Sequence, residues 1–166
     1  MEEKIGLAKE ELKRVDHLFY VSLKYTKTGD VIMSIVERLI NSFNFSIDAL
    51  FLYMEKKKKT LEVPDNAVAK IAKIKKLFKD DEQFIEDIDL YQLLRKINRS
   101  DYSTVREFRK HVTMSVTADE KAVDVNIDVI EEYFKRTKEF VNKSYKLIHG
   151  IKDEWFNTTF KTKRVE

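Results

Sequence analysis

Apolar residues recur every three or four positions along most of this chain, the spacing typical of amphipathic helices. A helix of this type buries one face and exposes charged side chains on the other. The first such stretch predicts a helix over residues 2–25, which ends before the Thr28-Gly29 break. Its repeating apolar positions are Ile5, Ala8, Leu12, Val15 and Phe19.

The longest apolar stripe predicts a second helix over residues 31–57. Asp30 precedes it and is a suitable N-cap, because a carboxylate can accept hydrogen bonds from the amides of the first turn. The stripe is wide, as in a bundle helix with two or three neighbours. Its core positions are Ile32, Val36, Leu39, Phe43, Ile47, Leu50 and Met54. Four lysines, residues 56–59, form either a solvated helix end or an accessory phosphate-binding patch.

Two shorter helices are predicted in the middle of the chain, over residues 66–79 and 82–98. The single proline, Pro64, precedes the first of them. Asp80 and Asp81 interrupt the apolar pattern and place negative charge at the start of the second, where the helix dipole favours it. The apolar positions of that second helix are Phe84, Ile88, Tyr91, Leu94 and Ile97.

Two capping boxes follow, one formed by Thr104 and Glu107 and the other by Thr117 and Glu120. In such a box the threonine accepts from the amide three residues later, while the glutamate reaches back to the threonine amide. The first box predicts a short helix, and the second predicts the start of the long last helix. Gly150 is well placed to end that helix in the left-handed conformation.

These elements predict an all-α fold, an antiparallel up-and-down four-helix bundle with one or two additional short helices. The composition agrees, because three glycines and one proline in 166 residues favour few, long elements. Residues 1–150 are predicted to form a single helical-bundle domain, and residues 151–166 a C-terminal aromatic and basic tail. This tail and the wide stripe of the second helix offer more apolar surface than one bundle covers, which predicts a homodimer.

The composition also limits the classes of function. The chain has no cysteine, which excludes disulfides and thiolate metal sites and favours a reducing compartment. Its first residues lack the apolar core of a signal peptide. No apolar run reaches the roughly 18 residues of a membrane span. The sequence therefore predicts a cytoplasmic protein with no membrane partner, and its net charge of +3 permits a nucleic-acid partner.

Positive charge is concentrated between residues 95 and 111. Six basic and two acidic residues give this segment a net charge of +4, more than the +3 of the entire chain. Tyr102 and Phe108 are interleaved with the basic residues, which are Arg95, Lys96, Arg99, Arg106, Arg109 and Lys110. The segment is either an RNA-binding or phosphate-binding surface or a solvated helix face with ion pairs at i, i+4 spacing.

The sequence predicts no metal site and no cofactor. His17, His111 and His149 lie in three different segments, and none has the i, i+4 histidine or Glu-x-x-His partner typical of helical metal sites. Glycine-rich phosphate loops and a cysteine nucleophile are also missing from the sequence.

One stretch of the basic segment, Arg106-Glu-Phe-Arg-Lys-His111, fits the pattern Arg-x(4–6)-His. In this motif, and in the long helix predicted after it, the chain resembles HEPN domains (higher eukaryotes and prokaryotes nucleotide-binding). The resemblance implies a dimeric helical bundle. It also implies one of three functions: metal-independent cleavage of RNA, binding of nucleotides, or a non-catalytic role as partner of a nucleotidyltransferase.

The resemblance assigns catalytic roles to two residues. His111 would accept the proton of a ribose 2′-hydroxyl, and Arg106 would stabilise the charge that develops on the phosphorus. Phosphate-binding roles are predicted for Arg99, Tyr102, Arg109 and Lys110. The alternative is a non-catalytic helical interaction module, in which His111 pairs with Glu107.

Overall fold

A computed structural model of the chain describes residues 1–22, 29–58, 61–100, 102–105, 113–118 and 121–150. For strand residues 102–105, 113–118 and 121–123 the description covers the backbone alone. A π-helical turn, Leu18–Ser22, extends the first helix. The described α-helices are α1 Glu2–His17, α2 Gly29–Lys57, α3 Ala67–Leu77, α4 Glu82–Arg99 and α5 Ile127–His149. The described strands are β1 Tyr102–Val105, β2 Thr113–Ala118 and β3 Lys121–Asn126.

Helix α2 is the centre of the bundle, because it packs against α1, α4 and α5. Phe43 shows this most directly: it is fully buried, and its ring centroid lies 5.4 Å from that of Tyr91 on α4 and 4.8 Å from that of Phe140 on α5. The predicted apolar stripe is confirmed, since all its residues from Ile32 to Leu50 are buried.

Side-chain pairs between α1 and α2 show that these helices are antiparallel. Lys4, near the start of α1, lies over the ring of Phe45, whereas Arg38, one to two turns earlier on α2, reaches Glu11 further along α1. Between these two pairs, the Ser42 hydroxyl donates to the carbonyl of Ala8 over 3.0 Å.

Helix α5 is antiparallel to α1 and to α4. Against α1, Phe134 near its start contacts Phe19, and His149 at its end lies 3.0 Å from Glu2. Against α4, the Arg136 guanidinium donates to the carbonyl of Glu86, and residues later on α5 contact residues earlier on α4. The order of α1, α2, α4 and α5 is therefore up, down, up, down, and the predicted antiparallel four-helix bundle is confirmed.

Side-chain caps explain where most of the helices begin. Asn66, Asp81 and Asn126 precede α3, α4 and α5, and each accepts a hydrogen bond from the amide three residues later. Gly150 ends α5 with φ of 67°, which confirms the predicted left-handed terminator. Asp30 is a correction, because α2 begins at Gly29 and Asp30 lies inside its first turn.

The three-stranded antiparallel sheet, in the order β1-β2-β3, was not predicted. The helix predicted from Thr104 is wrong at its first residues, which belong to β1, and the last helix begins at Ile127 because Thr117 lies in β2. The last helix starts late because the residues just before it alternate in burial as in a strand: Asp124 is exposed and Val125 is fully buried. Asn126 then supplies the cap from which α5 starts.

The sheet lies at the end of the bundle where α4 stops and α5 begins, and β2 contacts both α4 and α2. We call this the sheet end of the bundle. The predicted first helix is confirmed through Ser22, and the predicted tail, residues 151–166, is not among the described residues. No helix in the described part of the chain combines the length and apolar character needed to cross a bilayer.

One carboxyl group is buried between α4 and α5. Asp87 is 3% exposed, accepts a hydrogen bond from the Gln83 side chain over 3.1 Å, and lies 3.6 Å from the Arg136 guanidinium. Burial raises the pKa of Asp87, although the Gln83 hydrogen bond and the positive charge of Arg136 act in the opposite direction. The folded protein therefore holds the Asp87 proton more firmly than the unfolded chain does.

Asp87→Asn should become more stable relative to the wild type as pH increases, as judged by the difference between their free energies of unfolding. Between the ordinary aspartate pKa of about 3.9 and the raised pKa in the folded protein, the folded state binds more protons. Stability contributed by Asp87 is therefore greatest at low pH and falls as pH rises through this window. Urea titrations from about pH 4 to pH 8 would measure the difference.

Asp89→Asn is the matched control for that titration, since Asp89 lies on the same helix with its side chain 57% exposed. The comparison separates burial of the carboxylate from simple loss of one negative charge. A wild-type advantage over Asp87→Asn that grows with pH would contradict the prediction, because it would mean that the Arg136 ion pair outweighs burial.

Candidate functional site

The basic segment predicted from the sequence starts at the end of α4 and continues into the sheet. Arg99 is the last residue of α4 and is exposed. Tyr102 is the first residue of β1, where it pairs with Val116 of β2. Four predicted site residues lie between β1 and β2, within residues 106–112, which the structure does not describe: Arg106, Arg109, Lys110 and His111. Their roles stay predictions.

The register of the sheet places the two described residues that flank residues 106–112. Val105, the last residue of β1, pairs with Thr113, the first residue of β2, and Thr113 pairs with Asn126, the last residue of β3. Asn126 is also the N-cap of α5. Val105 and Thr113, the described residues on either side of residues 106–112, therefore lie side by side, next to the first turn of α5 and at the sheet end.

Lys56 and Lys57, which the sequence assigned either to a solvated helix end or to an accessory phosphate patch, lie at the opposite end of the bundle. Helix α2 ends at Lys57, so Lys56 and Lys57 occupy its last turn, as expected for basic residues at a helix C-terminus. Lys57 lies over the ring of Tyr53 at 4.6 Å. Because α2 runs away from the sheet end, these lysines and Arg99 cannot contribute to one small site.

A cleft that the sequence analysis missed lies between α2, α3 and α4. Its volume is about 250 Å³, and Ile47 supplies part of its apolar lining. The other lining residues that matter for its chemistry are Asn44, Asp48, Asp65, Lys70, Ile71 and Tyr91. We call it the α3 cleft, because α3 and the residues just before it form one of its walls.

Polar contacts join the three walls of the α3 cleft. The Lys70 ammonium of α3 lies 2.9 Å from the carboxylate of Asp48 on α2. The hydroxyl of Tyr91 on α4 donates to the side-chain oxygen of Asn44 on α2. Tyr91 is 2% exposed, and this burial raises its pKa, so that its hydroxyl stays protonated and remains a donor.

The sequence contained one sign of this cleft, the spacing of two polar residues on α2, which we missed because the apolar pattern of that helix dominates. Asn44 and Asp48 are four residues apart on α2, so they share a face of the helix beside the buried positions Phe43 and Ile47. The partners Lys70 and Tyr91 are distant in sequence, and their approach depends on the packing of α3 and α4 against α2.

The described part of the chain contains no group of three or more His, Cys, Asp or Glu side chains arranged to hold a metal ion. His149 lies at the end of α5, with its ring 4.3 Å from that of Tyr145 and its Nε2 atom 3.0 Å from Glu2. His17 is exposed at the end of α1. These two histidines are therefore far apart along the bundle.

Comparisons with known proteins identify no relative: no family model, no curated protein and no solved structure matches this chain.

Proposed function

We propose that this protein binds the phosphates of RNA or of nucleotides at the sheet end of the bundle, with Arg106 and His111 at the centre of the site. The observation that carries the proposal is the strand register, in which Val105 and Thr113 are paired. Val105 and Thr113 directly flank the segment that contains Arg106 and His111, and Arg99 is exposed at the same end of the bundle.

Charge supports the same choice of surface. The segment from residue 95 to residue 111 concentrates a net charge of +4, and protein groups that neutralise phosphates supply most of the affinity for nucleic acid. Arg109 and Lys110 would extend the contact along the phosphate backbone. Tyr102 would supply an aromatic ring on which a base can stack.

In its stronger form, the proposal makes the protein a metal-independent ribonuclease resembling HEPN domains. His111 would accept the proton of a ribose 2′-hydroxyl as its oxygen attacks the adjacent phosphorus. Arg106 would stabilise the negative charge on the phosphate oxygens in the transition state. In HEPN proteins of this kind two such motifs face each other across a two-fold axis, so this form of the proposal requires a homodimer.

Arg99→Ala together with Arg106→Ala should weaken binding of a labelled single-stranded RNA. Each lost phosphate contact should also reduce the slope of log affinity against log salt concentration by about 1. His111→Ala should leave binding largely intact but abolish any cleavage in EDTA, because it removes a proton acceptor and no phosphate contact. Fluorescence anisotropy measures the binding, and gel analysis of the same RNA measures cleavage.

Lys56→Ala together with Lys57→Ala is the matched control, because it removes two positive charges from the opposite end of the bundle. This variant should bind RNA as the wild type does. Equal losses in both double variants would show non-specific attraction to the basic protein and refute the proposed site. Equal cleavage by all variants would indicate a contaminating nuclease, and light scattering on the same samples would test the dimer.

Exposed apolar side chains favour a second function, that of a non-catalytic helical interaction module. Leu7, Leu52 and Val68 are 37%, 41% and 71% exposed, and a partner that covered them would remove apolar surface from water. The occupant would be a second copy of this chain or a partner such as a nucleotidyltransferase. A protein that binds no RNA but forms a stable dimer would support this function alone.

A further inference from the structure

The α3 cleft already holds one alkylammonium group, supplied by the protein itself. Lys70 reaches from α3 to α2 and places its Nζ atom 2.9 Å from Oδ1 of Asp48. Both side chains of this pair are only about one quarter to one third exposed, at 26% and 30%. An ammonium group on an alkyl chain is therefore a species that this carboxylate accommodates.

The charge of the cleft is not balanced by Lys70. Asp48 and Asp65 contribute two negative charges and Lys70 one positive charge, so the lining carries a net charge of −1. Asp65 lies directly before Asn66, the N-cap of α3. A further cation would meet the lining with favourable electrostatics, whereas a phosphate would be repelled.

The apolar lining and the volume restrict the size of such a cation. Ile47 and Ile71 are both nearly fully buried and present hydrocarbon to the cleft, which suits a ligand with an alkyl chain. The volume of about 250 Å³ is below the range of about 300–1,000 Å³ typical of sites for drug-sized ligands. A nucleotide is therefore too large as well as of the wrong charge.

We propose that the α3 cleft binds a small organic cation, an ammonium or guanidinium group on a short alkyl chain, between Asp48 and Asp65. The alkyl chain lies against Ile47 and Ile71. The Tyr91 hydroxyl holds the side-chain oxygen of Asn44, so the amide nitrogen of Asn44 is fixed in orientation at the wall. Lys70 competes with the ligand for Asp48, so binding displaces its ammonium or shares the carboxylate with it.

This site is separate from the proposed RNA site. Tyr91 precedes Arg99 by two helical turns of α4, about 12 Å along its axis. The two proposals therefore fail independently, because loss of RNA binding says nothing about the cleft.

The experiment is a titration of uniformly ¹⁵N-labelled protein with n-butylammonium chloride, n-butylguanidinium chloride and, at equal ionic strength, sodium butyrate. The two cations should produce saturable shifts of the Asn44 side-chain amide and of the backbone amides around Asp65, and butyrate should not. Asp65→Asn should weaken cation binding by up to about fivefold, the upper end expected for loss of one exposed ion pair. Lys70→Met should tighten binding by a similar factor because it removes the competing ammonium.

A second ion pair provides the matched control. Lys75 of α3 pairs with Asp89 of α4 outside the cleft lining, so it fastens α3 with the same chemistry. Lys75→Met and Asp89→Asn should leave cation binding unchanged, which distinguishes loss of a ligand contact from loosening of α3. Non-saturating shifts up to tens of millimolar, equal shifts with butyrate, or equal effects of Asp65→Asn and Asp89→Asn would each overturn the proposal.

Discussion

Phe43→Ala should lower the free energy of unfolding by about 3–5 kcal/mol, the usual cost of truncating a buried phenylalanine. Phe43 is 0% exposed, and its ring contacts Tyr91 of α4 and Phe140 of α5. Truncation would therefore leave a cavity where three of the four bundle helices meet. Because a domain is stable by only about 5–15 kcal/mol, the variant should unfold at a much lower urea concentration, measured by circular dichroism at 222 nm.

Phe45→Ala is the matched control, two residues further along α2. Phe45 is half-buried and faces α1, where Lys4 lies over its ring at 5.7 Å. Phe45 lies at the edge of the core and not at its centre, so we expect a smaller loss of about 1 kcal/mol, the centre of the distribution for single substitutions. Similar losses in the two variants would contradict the central position of Phe43.

The helices of the bundle were predictable because their signal is local. The apolar stripe of α2 predicted a helix over residues 31–57, and the observed helix is Gly29–Lys57. No glycine or proline interrupts that stretch, so propensity and periodicity agree over its whole length. The caps Asp81 and Asn66 are equally local, since each accepts from an amide three residues away, although the sequence analysis did not assign them as caps.

The sheet was not predictable in this way because its pairing is not local. Thr104 and Thr117 each begin a pattern that matches a capping box, but threonine also favours strands. Which tendency wins depends on a partner: Thr104 pairs with Met114, and Thr117 pairs with Ala122. A local pattern cannot identify these partners, so the capping boxes led to two wrong helix starts.

The two candidate sites also differ in whether their signal is local in the sequence. The basic segment could be identified from composition alone, because the concentration of arginine and lysine is visible in the sequence. The α3 cleft could not be, since Tyr91 and Asn44 are 47 residues apart and Lys70 and Asp48 are 22 residues apart. Asn44 and Asp48 showed only that α2 carries polar side chains beside its core.

The interface between α1 and α2 contains a buried carboxylate that should have the second large effect. Glu11 is 4% exposed and accepts hydrogen bonds from Arg14, from Arg38 over 3.3 Å, and from the Asn41 amide over 3.3 Å. The two guanidinium groups remain partly in water, with side chains 58% and 39% exposed. The carboxylate is thus desolvated, whereas its arginine partners are not.

This asymmetry decides the size of the effect of Glu11→Ala. Removing one member of a fully buried ion pair costs about 3–5 kcal/mol because the other charge is left without water. Here the arginines can turn to solvent, so the loss should be smaller, about 2–3 kcal/mol, and should come chiefly from the space that a truncated side chain leaves between α1 and α2. Arg38→Ala should cost less, because Arg14 and Asn41 continue to hold Glu11.

Glu11→Met is the variant that separates charge from packing. An apolar side chain of similar size fills the space without a desolvated charge, and such replacements of buried ionic groups are often neutral. We therefore expect Glu11→Met to recover most of the stability that Glu11→Ala loses, measured by urea unfolding at one pH and salt concentration. If Glu11→Met is as unstable as Glu11→Ala, the hydrogen bonds of the carboxylate, and not the volume of the side chain, hold α1 against α2 at this point.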